Sequence, residues 1–185
     1  RPVHLARNEQ LGAAFGALSK TQLVPLLVDG EASIGQSLAI IEYLDELHPE
    51  PSLLPGDALA RARIRSLALD IACEIHPLNN LRVLRYLSQE VGVSEASKNT
   101  WYRHWVESGL AAVERRLVSE AQTGRCCHGD SPTLADCTLV PQIFNAQRFG
   151  CDLGSMPTVM RVFAHCMALP AFQAAQPSAC PDAEG

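Results

Sequence analysis

The chain has 185 residues, 47% of them apolar, and a formal net charge of −5. That size and apolar content suit one or two small domains with a real core. The scattered basic residues exclude a nucleic-acid surface. No apolar run is long enough to span a membrane, and none reads as a signal peptide.

Arg1 to Leu5 reads as a strand already under way, and Leu11 to Leu18 as a short helix weakened by Gly12 and Gly16. Asp29-Gly30 between two apolar runs predicts a β-hairpin. From Ser37, Leu38, Ile41, Leu44 and Leu47 recur at helical spacing, so the spacing predicts a helix ending near His48-Pro49, with Ser37 as its N-cap. A hairpin that feeds straight into a helix start makes a small anion-binding corner. Free backbone N–H groups and the positive end of the helix dipole converge there. Gln36 and Ser37 add polar side chains, and a carboxylate fits. An ordinary helix cap is the plainer reading of the same pair.

Residues 49–57 hold three prolines and a glycine, which rules out a continuous helix and places a domain boundary there. The predicted organisation is an α/β unit over 1–48, a linker over 49–57, an all-helical domain over 58–175 and a loose Pro/Ala/acidic tail over 176–185. Ile64, Leu67, Ala68, Ile71, Ala72 and Ile75 form one stripe of an amphipathic helix that Pro77 breaks. Leu78 to Leu87 continues it, with Leu81, Leu84 and Leu87 on one side, and Gly92 ends the run. Ser94 should cap a long helix to about Leu117, with Trp101, Trp105 and Ser108 along one face, the tryptophans as core or interface, and Leu110, Val113 and Leu117 continuing on a neighbouring face. Thr133 and Asp136 fit a capping box for a helix that is apolar nearly all round: Leu134, Cys137, Leu139, Val140, Ile143 and Phe144. Met156-Pro157 opens the last helix, with Val159, Val162, Phe163 and Cys166 inward.

Seven cysteines without regular Cys-x-x-Cys spacing point to reduced thiols in a cytoplasmic protein. Cys126-Cys127-His128 lacks a second ligand pair, so no metal is expected. His76, Asn79, Asn80 and Arg82 cluster around Pro77. They suit either an interdomain ligand cleft or the service of backbone groups that the proline frees.

These stretches resemble the zeta class of glutathione transferases, which includes maleylacetoacetate and maleylpyruvate isomerases. The likeness runs through Val24-Pro25, the Gln36-to-Leu44 helix start, the Asp70-to-Leu84 segment, Thr133-Leu134-Ala135-Asp136-Cys137 and Asn145-to-Phe149, and so covers essentially the whole chain. It implies a thioredoxin-like N-terminal domain plus an all-α C-terminal domain, and glutathione as cofactor. In that reading Pro25 is cis, Val24 offers its backbone to the cysteinyl group, and Gln36-Ser37 hold the γ-glutamyl carboxylate. Gln10, His76, Asn80, Leu81 and Arg82 complete the glutathione site. Arg148 becomes a candidate for a substrate carboxylate, against the plainer reading as a helix C-terminal cap. A homodimer acting on a small dicarboxylate is implied as well.

The family's first strand and helix, about 30–40 residues by ordinary βα lengths, are expected upstream of Arg1 or replaced by a partner's segment. The Ser-rich catalytic loop belongs to that unit, so no catalytic residue is assigned here, Ser33 and Ser37 included, and the activity of this chain alone is expected to be crippled. The implied function is cis–trans isomerisation of maleylacetoacetate in aromatic amino-acid breakdown. The alternatives are maleylpyruvate isomerisation in the gentisate route and a non-catalytic glutathione-transferase-like module.

Overall fold

The computed structural model describes residues 1–180 and 183. The first helix, α1, spans Ala13–Leu18, and strands β1 (Leu26–Asp29) and β2 (Ala32–Gly35) form an antiparallel hairpin. Its register pairs Leu26 with Gly35 and Asp29 with Ala32, so the loop residues are Gly30 and Glu31, one place beyond the turn expected at Asp29-Gly30. Gly30 sits at φ 57°, a left-handed position that glycine takes without steric cost. Helix α2 follows at Ser37–Leu47. Tyr43 donates to Asp29 Oδ2 at 2.6 Å and so ties the hairpin tip to α2.

Residues 1–5 are not a strand. Leu5–Arg7 and Glu9–Leu11 form single 3-10 turns. An extended segment becomes a strand only when a neighbour pairs with its backbone groups, and none does among the described residues. Instead Arg85 reaches over from the helical region to Asn8 Oδ1 (2.5 Å) and the Leu5 carbonyl (3.1 Å).

The rest is helical: α3 (Ala58–Glu74), α4 (Leu81–Gln89), α5 (Glu95–Ser119), α6 (Leu134–Arg148), α7 (Pro157–Met167) and α8 (Pro170–Ala174). The α3 stripe buries Ile64, Leu67, Ala68 and Ile71, as its spacing predicts. Pro77 ends α3 in a 3-10 turn, His76–Asn79, and α4 starts afresh at Leu81, so the two helices are not continuous. Leu84 is buried on α4, but Leu81 is exposed. The inner face of α5 is Tyr102, Val106, Leu110, Val113 and Leu117 rather than the tryptophan side. Phe144 of α6 is also exposed, so that helix is less uniformly apolar than its sequence suggests.

Polar anchors fix the helices. Ser94 Oγ accepts from Ser97 N at 3.1 Å and caps α5. The Thr133/Asp136 capping box of α6 is formed. Glu114 of α5, nearly buried, accepts from the α7 amides of Thr158 (3.0 Å) and Val159 (2.7 Å), placing a carboxylate where that helix's free N–H groups point. Arg65 of α3 grips Glu42 of α2 with two nitrogens, at 3.0 and 2.9 Å, and docks the α/β unit on the helical body. Leu38 and Ile41 of α2 lie against the same core. Within the expected tail, Pro177–Ala179 form a 3-10 turn; residues 181, 182, 184 and 185 lie outside the described residues.

Candidate active site

The corner at the start of α2 is built by the hairpin. The ladder ends with Leu26 opposite Gly35, so Val24-Pro25 leads into one strand and Gln36-Ser37 leaves the other at the same end of the hairpin. The Val24-Pro25 peptide is cis. The first intrahelical bond runs from Ile40 N to Gln36 O at 3.0 Å, so Gln36 is the N-cap, not Ser37. The Ser37 hydroxyl is therefore not spent on capping, and the amides of Ser37, Leu38 and Ala39 precede the ladder.

Gln36 stands at φ 71°, ψ 118°. A side chain held at positive φ outside the helical region costs on the order of 1–3 kcal/mol and persists where the surroundings over-determine it. No sequence signal marks it, since glycine is the residue such a position favours. The conformation holds a polar side chain, a free hydroxyl and open amides at one spot. That donor set suits an anion such as the γ-glutamyl carboxylate of glutathione.

A second cluster sits on the turn between α3 and α4. Asn80 caps α4, its Oδ1 accepting from Arg82 N at 3.1 Å. This fixes the amide, so Nδ2 faces His76 Nε2 at 3.4 Å. Nε2 then accepts and the ring proton sits on Nδ1. His76 keeps an exposed surface, and partial desolvation by the surrounding turn lowers its pKa, in keeping with a neutral ring. Asn79, six per cent exposed, has an Nδ2 with no partner among the described residues. Trp101 Nε1 donates to the Leu78 carbonyl at 2.7 Å and holds this turn against α5.

Gln10, in the turn before α1, has a buried Oε1 that lacks a partner among the described residues. Arg148 lies exposed at the end of α6. The adjacent Phe149 stacks on Tyr102 with centroids 4.0 Å apart. Burial pushes the Tyr102 hydroxyl up to about 12, against the opposing pull of the Arg148 charge. The α6 terminus is closed by the Phe149 amide on Asn145 O at 3.1 Å, so capping needs nothing from the Arg148 side chain. The structure thus brings Val24, Pro25, Gln36 and Ser37 together, and His76, Asn80 and Arg82 together. Among the described residues, no hydrogen bond joins either group to Gln10 or Arg148. Asn79 lies in the second cluster as the sequence suggested, whereas Trp101, which holds that cluster's turn against α5, was expected only as core or interface. Only the fold shows what they touch.

The glutathione S-transferase N-terminal domain family matches residues 2–52. A probable maleylacetoacetate isomerase from Vibrio cholerae is 48% identical over 99% of this chain and 85% of its own length. A holo structure of maleyl pyruvate isomerase, described as a zeta-class bacterial glutathione transferase, has a TM-score of 0.95. It is 47% identical, over 98% of this chain and 86% of that one. A maleylacetoacetate isomerase from Anaeromyxobacter dehalogenans, solved with dicarboxyethyl glutathione and citrate in the active site, has a TM-score of 0.85. It is 45% identical, over 100% of this chain and 81% of that one. With a cis-proline hairpin, an open helix start and a helical body matched from end to end in this way, the chain belongs to the zeta-class glutathione transferases, the family of maleylacetoacetate and maleylpyruvate isomerases.

Proposed function

We propose that the protein is a glutathione-dependent cis–trans isomerase of maleylacetoacetate. The observation that carries the reading is the α2 corner, where the end of the hairpin that holds Val24-Pro25 also delivers a positive-φ Gln36 and an uncommitted Ser37 into the start of α2. Bound glutathione supplies a thiol whose addition to a conjugated cis double bond, and later elimination, leave a single bond free to rotate in between. The residues of this chain bind and orient. Gln36, Ser37 and the first α2 amides hold the γ-glutamyl carboxylate, and the Val24 backbone aligns the cysteinyl group. His76, Asn80, Leu81, Arg82 and Gln10 form the remaining wall. The Arg148 guanidinium suits a substrate carboxylate, which it grips through two parallel hydrogen bonds.

Maleylpyruvate is the second candidate substrate, favoured by the TM-score of 0.95 to the maleyl pyruvate isomerase. The protein acts in the cytoplasm as a homodimer. In support, all seven cysteines are free, the state a reducing compartment maintains. No helix among the described residues is long and apolar enough to cross a membrane.

The test is calorimetric binding of glutathione, with turnover of both maleyl substrates measured beside it. Gln36→Ala with Ser37→Ala should weaken glutathione binding by at least tenfold, because the carboxylate loses its side-chain donors. Unchanged affinity in that variant would sink the assignment of the corner. Turnover of one substrate alone decides between the two.

A further inference from the structure

By sequence, Cys126-Cys127-His128 lacked a second pair of metal ligands. Folding supplies donors from elsewhere. Cys126 lies in the loop between α5 and α6, Asp136 in the first turn of α6, and Cys166 on α7. Their two sulfurs and a carboxylate oxygen all lie within 4.8 Å of one another, and all three residues are fully buried. We propose that Cys126, Cys166 and Asp136 form a binding site for a soft divalent cation of the zinc or cadmium type, with two thiolates and one carboxylate oxygen as donors.

Thiolate pairs select such cations over hard ones. Bonds of about 2.3 Å to sulfur and about 2.1 Å to oxygen imply ligand–ligand edges of roughly 4 Å, so the cluster needs to close by no more than about 1 Å. His128 is not a ligand. Its Nδ1 accepts from Arg63 at 3.0 Å, and it stands outside the cluster.

The Asp136 oxygens divide the work. Oδ2 is committed to the capping box, accepting from Thr133 N and Thr133 Oγ1, each at 2.8 Å. Oδ1 accepts from Cys127 N at 2.8 Å and from the Cys166 thiol at 3.8 Å. When Cys166 becomes a ligand its S–H proton leaves, and that lone pair of Oδ1 is released for the cation. The balance is one M²⁺ taken up and two thiol protons released. The buried site therefore keeps the single negative charge of Asp136, and loading creates no new uncompensated charge. Among the described residues, Asp136 has no ion-pair partner to compete with the cation.

The experiment is refolding of the reduced protein, kept reduced by a non-thiol reductant, with one equivalent of cadmium. Refolding gives the ion access to a closed site. A sulfur-to-cadmium charge-transfer band and a native mass raised by one cadmium less two protons are expected. Cys126→Ala and Cys166→Ala should each abolish the band, while Cys73→Ala with Cys180→Ala should leave it. Retention of the band in either of the first two variants, or no uptake by the wild type, overturns the proposal. Should those variants not fold, X-ray absorption of the loaded wild type decides it. A first shell with at least two sulfurs and an oxygen supports the site, and fewer than two sulfurs refutes it.

Discussion

Asn80 does two things with one side chain. Its oxygen caps α4 through Arg82 N, and its nitrogen faces His76. The sequence showed these polar residues gathered around a proline but not this division of labour, which depends on how the chain turns after Ile75. Asn80→Ala should cost about 1 kcal/mol through the lost cap. Asn80→Asp keeps a capping oxygen, so it should cost less, but it sets a carboxylate against the His76 ring. The pKa of His76, lowered by partial desolvation in the wild type, should then rise, as an NMR titration of the ring would show. The sign for stability follows. With its folded pKa below the unfolded value of 6.5, His76 binds its proton later in the folded state than in the unfolded one. Wild-type stability therefore falls as pH drops below about 6.5, and this loss should shrink in Asn80→Asp. An unmoved His76 pKa would show that the pair does not interact.

The elements differ in how far the sequence exposed them. The α3 stripe was legible because its burial follows a local period, and the Thr133/Asp136 box because its partners are three residues apart. On α5 the Leu110, Val113 and Leu117 end of the inner face was legible, but its Tyr102 and Val106 end was masked by the tryptophans. Trp101 is half-buried, and its indole N–H donates to the Leu78 carbonyl. Ser37 was misplaced by one position because nothing in the sequence reports a glutamine at positive φ. Gly109 had no signal at all. It lies where α5 passes the end of α3, and a Cβ there would collide with the Ile75 side chain. Gly109→Ala should cost about 1–3 kcal/mol by overpacking. Because Ile75 is the residue before His76, glutathione affinity should fall with it. Urea unfolding read beside calorimetry checks both, and an unchanged unfolding midpoint would mean that the helices can part without cost.

Across the whole molecule, burial is uneven. The core is a helical one, formed by α3, α5, α6 and α7, whereas between residues 1 and 48 Ser19 alone is buried. The prolines of residues 49–57 mark the non-helical stretch between α2 and α3, whereas the sparse burial before residue 49 is not legible, since the apolar residues there are as regular as any. Two apolar surfaces result. On α2, Leu44 and Leu47 are 40% and 51% exposed. On α3, Leu69, 43% exposed, stands in a groove of about 580 Å³ lined also by Ala62, Arg65, Ser66, Asp70 and Cys73. A ridge and a groove on one surface, joined by the Arg65–Glu42 pair, suit a two-fold pairing in which each copy's α2 enters the other's α3 groove. The proposed homodimer should therefore sediment at twice 20.0 kDa. Leu69→Glu, which buries a charge at that contact, should return it to the single-chain mass while leaving its circular dichroism unchanged. A wild type that sediments at 20.0 kDa across micromolar concentrations refutes the dimer, and a Leu69→Glu variant that still pairs moves the interface elsewhere. With Leu44, Leu47 and Leu69 brought together at the contact, added sulfate should strengthen rather than dissolve the pairing.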